Sequence, residues 1–138
     1  LPGPLGRGPD SLAAMLLINN VHNIFYLGLA SSGGAVAMSV LAGVATRTLM
    51  GRKEETLEMA LAAKRLYNSG NPDLTYYEQG MDISIIDGLS KRGHRLSPVP
   101  DLGKVNGVFC STGVPSEKDL SCSMRPDPRG FGLAAGAE

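Results

Sequence analysis

Apolar residues near the start of the chain fall into two dense blocks, Met15 to Ile18 and Ile24 to Ala30, separated by Asn19-Asn20-Val21-His22-Asn23. Asn tolerates left-handed backbone and caps its own turn, so the arrangement predicts two strands joined as a hairpin. The second block is near-continuous rather than alternating, which predicts a strand covered on both faces. At Ser31-Ser32-Gly33-Gly34 the period changes. Beyond it Val36, Val40, Leu41, Val44 and Thr48 recur at helical spacing, with small alanines between them that suit close packing on a sheet. Arg47, Arg52 and Lys53 gather where cations favour the carbonyl end of a helix, and Gly51 is the predicted stop.

Further along, Glu54 to Tyr67 carries Glu54, Glu55 and Glu58 early and Lys64 and Arg65 late, an order that complements the helix dipole and predicts a second helix. Asn68-Ser69-Gly70-Asn71-Pro72-Asp73 reads as a loop and Leu74 to Glu78 as a short aromatic strand. Asp82 can cap a third helix bearing Ile85, Ile86 and Leu89, closed by Gly93. His94 to Val99 and Lys104 to Cys110 have extended character, with a break forced by Pro98 and Pro100. Ser111 to Met124 reads as a polar loop, and Arg125-Pro126-Asp127-Pro128-Arg129-Gly130 as a stiff turn. No internal repeat interrupts this order, which indicates an α/β (α+β) layered domain.

Composition narrows the functional classes. Thirteen basic residues balance thirteen acidic ones, and aromatic residues make up only 5% with no Trp. Neither an electrostatic footprint for nucleic acid nor a base-stacking platform is present. Two cysteines, Cys110 and Cys122, are too few for a disulfide scaffold or a zinc site; one loop-closing disulfide and two free thiols are both compatible with them. No Asp, Glu, Lys or Arg occurs from Ser11 to Thr46, a stretch long enough for a membrane helix, with Ile24 to Met50 the candidate segment. Its asparagines and the Ser-Ser-Gly-Gly turn favour two buried elements instead. Residues 1–8, rich in Gly and Pro, read as a flexible leading segment before a domain over residues 9–138.

Candidate chemistry concentrates at the glycine turn. A strand that ends in Ser31-Ser32-Gly33-Gly34 and opens a helix presents amides without intrahelical partners at the positive end of a dipole. Two glycines let successive N–H groups aim at one point, as acyl transfer requires where an oxyanion develops. A tight strand-to-helix turn with glycines for close packing would use the same residues. Gly28-Leu29-Ala30-Ser31 lacks the spacing of a nucleophile elbow, and no Lys follows the glycines as in a phosphate-binding loop. His22 and His94 have no Cys or carboxylate at metal-like spacing and read as surface or capping residues. Lys91-Arg92-Gly93-His94-Arg95 reads as a solvated helix end.

These residues resemble the γ-glutamyltransferase family. Ala30-Ser31-Ser32-Gly33-Gly34 stands where that family has a Gly-Ser-Pro-Gly-Gly-type turn, and Ala63-Lys64-Arg65 is similar to its Ala-x-Arg before a strand ending in Glu, here Glu78. Leu89 to His94 resembles Leu-x-x-Arg-Gly-His. Asp127-Pro128-Arg129-Gly130, with Gly132 and Ala135-Gly136, resembles the closing Asp-Pro-Arg motif. The order holds from Pro9 to Gly136.

The resemblance, to the C-terminal part of the family's small (light) subunit, implies part of an N-terminal-nucleophile hydrolase αββα sandwich, two sheets between helical layers. It implies a γ-glutamyl-transferring or -hydrolysing enzyme acting on glutathione and γ-glutamyl amides, without cofactor or metal. Gly33 and Gly34 would donate the oxyanion-hole amides. The family's paired carboxylate-binding serines fall at Ser11 and Leu12, so Ser11 and Ser32 are the candidate substrate-binding hydroxyls here, and Leu12 is a departure. A Thr nucleophile is expected upstream of Leu1, on the remaining γ-glutamyltransferase polypeptide: the large subunit and the N-terminal part of the small one. An extracellular face of the membrane or a periplasm is the implied location. A paralogue that keeps the fold as a binding or scaffolding module is the competing expectation.

Overall fold

A computed structural model describes residues 12–52, 54–115 and 122–135. The leading segment of residues 1–8, Ser11, residue 53 and Gly136 lie outside them. Strands β1 (Leu12–Asn19) and β2 (Ile24–Ser32) form the expected antiparallel hairpin. Its turn is held by the Asn19 carboxamide, whose Oδ1 accepts from the Val21 and His22 amides at 3.0 and 3.3 Å, and Asn23 takes the left-handed conformation, φ 53°. After β2 comes a single 3-10 turn, Gly34–Val36, and then α1 (Ala37–Met50), which stops at Gly51.

The chain continues through α2 (Leu57–Ala62), β3 (Leu66–Asn68), β4 (Thr75–Glu78), α3 (Ile83–Lys91), β5 (Leu96–Val99), β6 (Lys104–Val114) and β7 (Cys122–Arg125). Two sheets result. One has four strands in the order β1-β2-β6-β7, all antiparallel; the other has three, β3-β4-β5, with β5 parallel to β4. Helix α1 lies across β1, β2 and β6, and α2 lies on β6 and β7. The architecture is the mixed α/β layering expected from the order of elements.

Residues paired across the four-stranded sheet share a face, because side chains alternate along each strand. Ala13, Ser31 and Val105 form one such row, and all three are buried beneath the helices together with Leu27, Leu29, Val40, Leu41, Val44, Leu57, Ala60 and Leu61. Gly107 matters to this core. A Cβ there would lie 2.6 Å from Leu29 Cδ2 and 3.3 Å from Leu57 Cδ1, so the absent side chain is what lets β2 and α2 meet over β6. On the opposite face Leu12 and Leu16 stay exposed, and no further layer covers it among the described residues. The near-continuous apolar run of β2 is therefore covered on one face here, not on both.

Three other expectations are corrected. The helix foreseen over residues 54–67 spans only Leu57–Ala62, because Ala63 turns to extended backbone (ψ 139°) and carries Arg65 into the interior while Tyr67 joins β3. Strand β6 runs on to Val114 and β7 begins at Cys122, so much of the presumed loop after Cys110 is sheet. Pro98 sits inside β5 on the sheet edge, where a missing N–H is tolerated. The membrane candidate, Ile24 to Met50, is a strand, a turn and a 14-residue helix, and no described helix is long and apolar enough to cross a membrane.

Candidate functional site

At the end of β2 the backbone does what only glycine does cheaply. Gly33 sits at φ 144°, ψ 17° and Gly34 at φ 63°, both in the positive-φ region that L side chains avoid. The two glycines have different surroundings. A Cβ on Gly33 would lie 2.8 Å from Gly103 Cα and 3.0 Å from Val36 Cγ2, so this residue is packed. A Cβ on Gly34 would meet nothing within 4 Å. Gly103, itself at φ 66°, returns the contact, since its own Cβ would lie 2.9 Å from the Ser32 carbonyl oxygen. Two glycine-bearing backbones thus lie against each other, one leading into α1 and one leading into β6.

Neither the Gly33 nor the Gly34 amide makes a turn, loop or cap hydrogen bond among the described residues. Cavities flank the turn on two sides. One, about 410 Å³, is lined by Leu12, Ala14, Ala30, Ser32, Lys104 and Asn106; the other, about 380 Å³, includes Ser32, Gly33, Asp101, Gly103 and Lys104. Free donors at the positive end of a helix beside open space can stabilise an oxyanion or bind a carboxylate.

The segment that braces Gly33 is fixed by a buried set of charges. Arg65 Nη1 donates to the Leu102 and Gly103 carbonyls at 3.1 and 2.8 Å, and Arg65 Nη2 donates to Asp127 Oδ2 at 2.6 Å and to the Leu61 carbonyl at 3.1 Å. Glu78 Oε1 accepts from the Leu102 amide at 2.8 Å, and Asp127 Oδ2 from the Val105 amide at 2.7 Å. Arg129 closes the set with bonds to both Glu78 oxygens and to Asp127 Oδ1. Glu78, Asp127 and Arg65 are 0%, 2% and 8% exposed.

Two cations and two carboxylates balance in the interior. Burial pushes the Glu78 carboxyl up, but hydrogen bonds from Arg129 and the Leu102 and Arg65 amides, with the charge of Arg129, hold it below the ordinary value. Asp127 is likewise raised by burial and held low overall by the Arg129 and Val105 amides and by Arg65. Burial works against the Arg129 guanidinium, and Glu78 and Asp127 more than offset it, so its pKa is raised. Glu78, Asp127 and Arg129 are therefore held in their charged forms.

Ser32, Gly33 and Gly34 follow one another through the turn, and Leu12 lies directly across the sheet from Ser32. Ser11 falls outside the described residues. His22 lies in the turn at the other end of the β1–β2 hairpin, and His94 follows α3, its backbone N–H donating to the Leu89 carbonyl; both are exposed. Among the described residues no three His, Cys, Asp or Glu could hold a metal ion together. Cys110 and Cys122 are joined as a disulfide across β6 and β7, which settles an alternative that the cysteine count alone left open. In the sequence Arg65, Glu78, Asp127 and Arg129 stand out as element ends, a turn and points of resemblance, not as one cluster, and Gly103 and Lys104 carry no functional signal. Apart from Asp127 and Arg129, the partners of these charges lie in other elements, so no local pattern marks the set.

A family model described as gamma-glutamyltranspeptidase matches residues 2–137. No curated protein sequence matches the chain. Among solved structures, a Helicobacter pylori gamma-glutamyltranspeptidase variant is similar with a TM-score of 0.78 at 22% identity, over 94% of this chain and 66% of that one. Gamma-glutamyltranspeptidase from Pseudomonas nitroreducens, complexed with L-DON, gives 0.79 at 21% identity over 98% and 66%. The Bacillus anthracis transpeptidase CapD gives 0.75 at 17% identity over 98% and 75%. At these identities the likeness is one of fold. The chain spans 66% of the length of the first two relatives.

Proposed function

Because this chain belongs to the gamma-glutamyltranspeptidase family, we propose that it is one segment of an N-terminal-nucleophile enzyme that transfers or hydrolyses γ-glutamyl groups, with glutathione or another γ-glutamyl amide as donor. The remaining polypeptide supplies the Thr nucleophile. Attack of its hydroxyl on the γ-amide carbonyl forms a C–O bond, shifts the carbonyl π pair onto oxygen and leaves a tetrahedral oxyanion. Collapse of that species expels the amine, which takes up the proton released by the nucleophile, and leaves an acyl-enzyme ester. Water or an acceptor amine then repeats the steps in reverse order.

The part of this chain is to receive the oxyanion. Gly33 and Gly34 each contribute a backbone N–H, oriented by their positive φ and set at the head of the 3-10 turn and α1. The observation that carries this reading is the asymmetry of the glycine pair. Gly33 is locked against Gly103, while Gly34 faces open space beside unengaged amides. Ser32, on the face with the larger cavity, is placed to contact substrate, and Ser11 is assigned the same role by its position next to Leu12. The Cys110–Cys122 disulfide is in keeping with an oxidising compartment, a periplasm or the extracellular face of a membrane.

A second reading has one observation in its favour. Leu12 stands opposite Ser32 with no hydroxyl to offer a substrate carboxylate, as in a relative that has kept the fold as a binding or scaffolding module. One experiment separates the two. In the assembled protein Gly34→Val is expected to lower kcat for a γ-glutamyl anilide about 10²–10³-fold, the typical effect of losing an oxyanion donor. An unchanged kcat would remove the turn from the mechanism, and a wild-type protein without turnover would favour the non-catalytic reading.

A further inference from the structure

We infer that Lys104 is a ligand for a substrate carboxylate, placed on the same row of the sheet as Ser32 and Leu12. The inference rests on the proposed γ-glutamyl chemistry for the identity of the substrate, but its argument begins from the sheet. Ser32 ends β2, and its Cα partners are Leu12 on β1 and Lys104 on β6. The neighbouring row, Ala13, Ser31 and Val105, is buried under the helices, so Leu12, Ser32 and Lys104 project from the opposite face, immediately beside the glycine turn.

The cavity on that face is about 410 Å³, and its lining includes one cation and no acid. Its polar side chains on this face are rich in donors. Lys104 carries only N–H groups, and the Ser32 hydroxyl can donate as well as accept. Asn106 Oδ1 is occupied by the Asp127 amide at 3.0 Å, which leaves its NH₂ group for the cavity. Lys104 joins none of the ion pairs among the described residues. Asp101 shares the adjacent cavity with it but is not among its ion-pair partners either.

A donor-rich lining with one cation and no acid favours an anionic acceptor, and a single cation matches a single negative charge better than a phosphate dianion. The apolar walls of Leu12, Ala14 and Ala30 suit the methylene chain that separates a γ-acyl carbon from an α-carboxylate. Where Leu12 removes a hydroxyl from this surface, the ammonium two strands away supplies the lost partner. The carboxylate belongs to the γ-glutamyl donor or to the acceptor; the shared chemistry is the Lys104–carboxylate pair, and the test separates the two sources.

The test uses the complete, assembled protein with Lys104→Met and Lys104→Arg. With a γ-glutamyl anilide, Lys104→Met is expected to raise KM about tenfold or more, the cost of losing a charge-assisted hydrogen bond, with kcat little changed. Lys104→Arg should restore most of the loss. The α-carboxamide analogue of the same anilide should show the same KM in wild type and Lys104→Met. If the donor KM is unmoved and the KM for glycylglycine as acceptor rises instead, the carboxylate served is the acceptor's. All KM values within about twofold of wild type would overturn the inference. Should the wild type turn over no γ-glutamyl anilide, the catalytic reading fails by itself, and calorimetric titration with L-glutamate decides the role of Lys104. Binding lost in Lys104→Met and kept in Lys104→Arg supports it; equal binding, or none to wild type, overturns it.

Discussion

Arg65 makes four side-chain hydrogen bonds from a position only 8% exposed, and two of them end on the carbonyls of Leu102 and Gly103, the residues that brace Gly33. A buried charge of this kind is tolerated only while its partners stay charged, because an unpaired ion in the interior costs far more than the pair gains. Asp127→Asn keeps the shape and removes the charge, and is expected to destabilise the assembled protein by about 3–5 kcal/mol, read from its denaturation midpoint. The pH dependence follows from the same groups. Asp127 and Glu78 have depressed values in the folded protein, so their contribution is complete above the unfolded values of about 3.9 and 4.3 and is lost as pH falls through the lower folded ones. Wild type should therefore lose stability steeply below about pH 4, with a shallower slope in Asp127→Asn. None of this was legible locally. Arg65 and Asp127 are 62 residues apart, and in the sequence Arg65 is one more cation near the end of a helical stretch.

At the scale of elements, the parts that could be read were those whose signals are local. The hairpin follows from two apolar blocks and an Asn turn. Helix α3 follows from Asp82, whose Oδ1 accepts the Ser84 amide at 2.8 Å, and from Gly93 at φ 86°. Helix α2 was overextended because Lys64 and Arg65 satisfy every local rule for a helix end, while the pull of Glu78 on the Arg65 amide, 3.1 Å, comes from another element. The continuation of β6 past Cys110 was hidden in the same way. Ser111 and Thr112 are polar and exposed, and the pairing partner of the following strand lies across the sheet. The disulfide is what holds this region together, since Cys110 and Cys122 are paired across β6 and β7, and β7 leads directly into Asp127. Replacing both cysteines with Ser is expected to cost about 2–4 kcal/mol, with Tm of the oxidised wild type and the variant as the readout. If the two melt together, the staple contributes nothing to the region that supports the glycine turn.

At the scale of the molecule, the four-stranded sheet is covered on one face only among the described residues. Helices α1 and α2 bury one face, whereas the other exposes Leu16 at 69% and Leu12 at 64%, with Phe131 and Leu133 fully exposed nearby. Large apolar side chains exposed together on one sheet face are the signature of a surface that docks against a neighbour. On the proposed reading the rest of the polypeptide covers this face; the chain spans 66% of the length of the first two relatives. The consequence is testable without catalysis. Produced alone, residues 1–138 should self-associate in light scattering and bind a hydrophobic dye. Joined to the rest of the polypeptide they should do neither. Leu16→Glu should separate the two situations further, improving the solubility of the lone segment while weakening its assembly, because the same side chain is a liability when exposed and a contact when covered. A lone segment that stays monodisperse and melts cooperatively would mean that the open face is adapted to water. The glycine turn would then have no opposing layer from which a nucleophile could approach it.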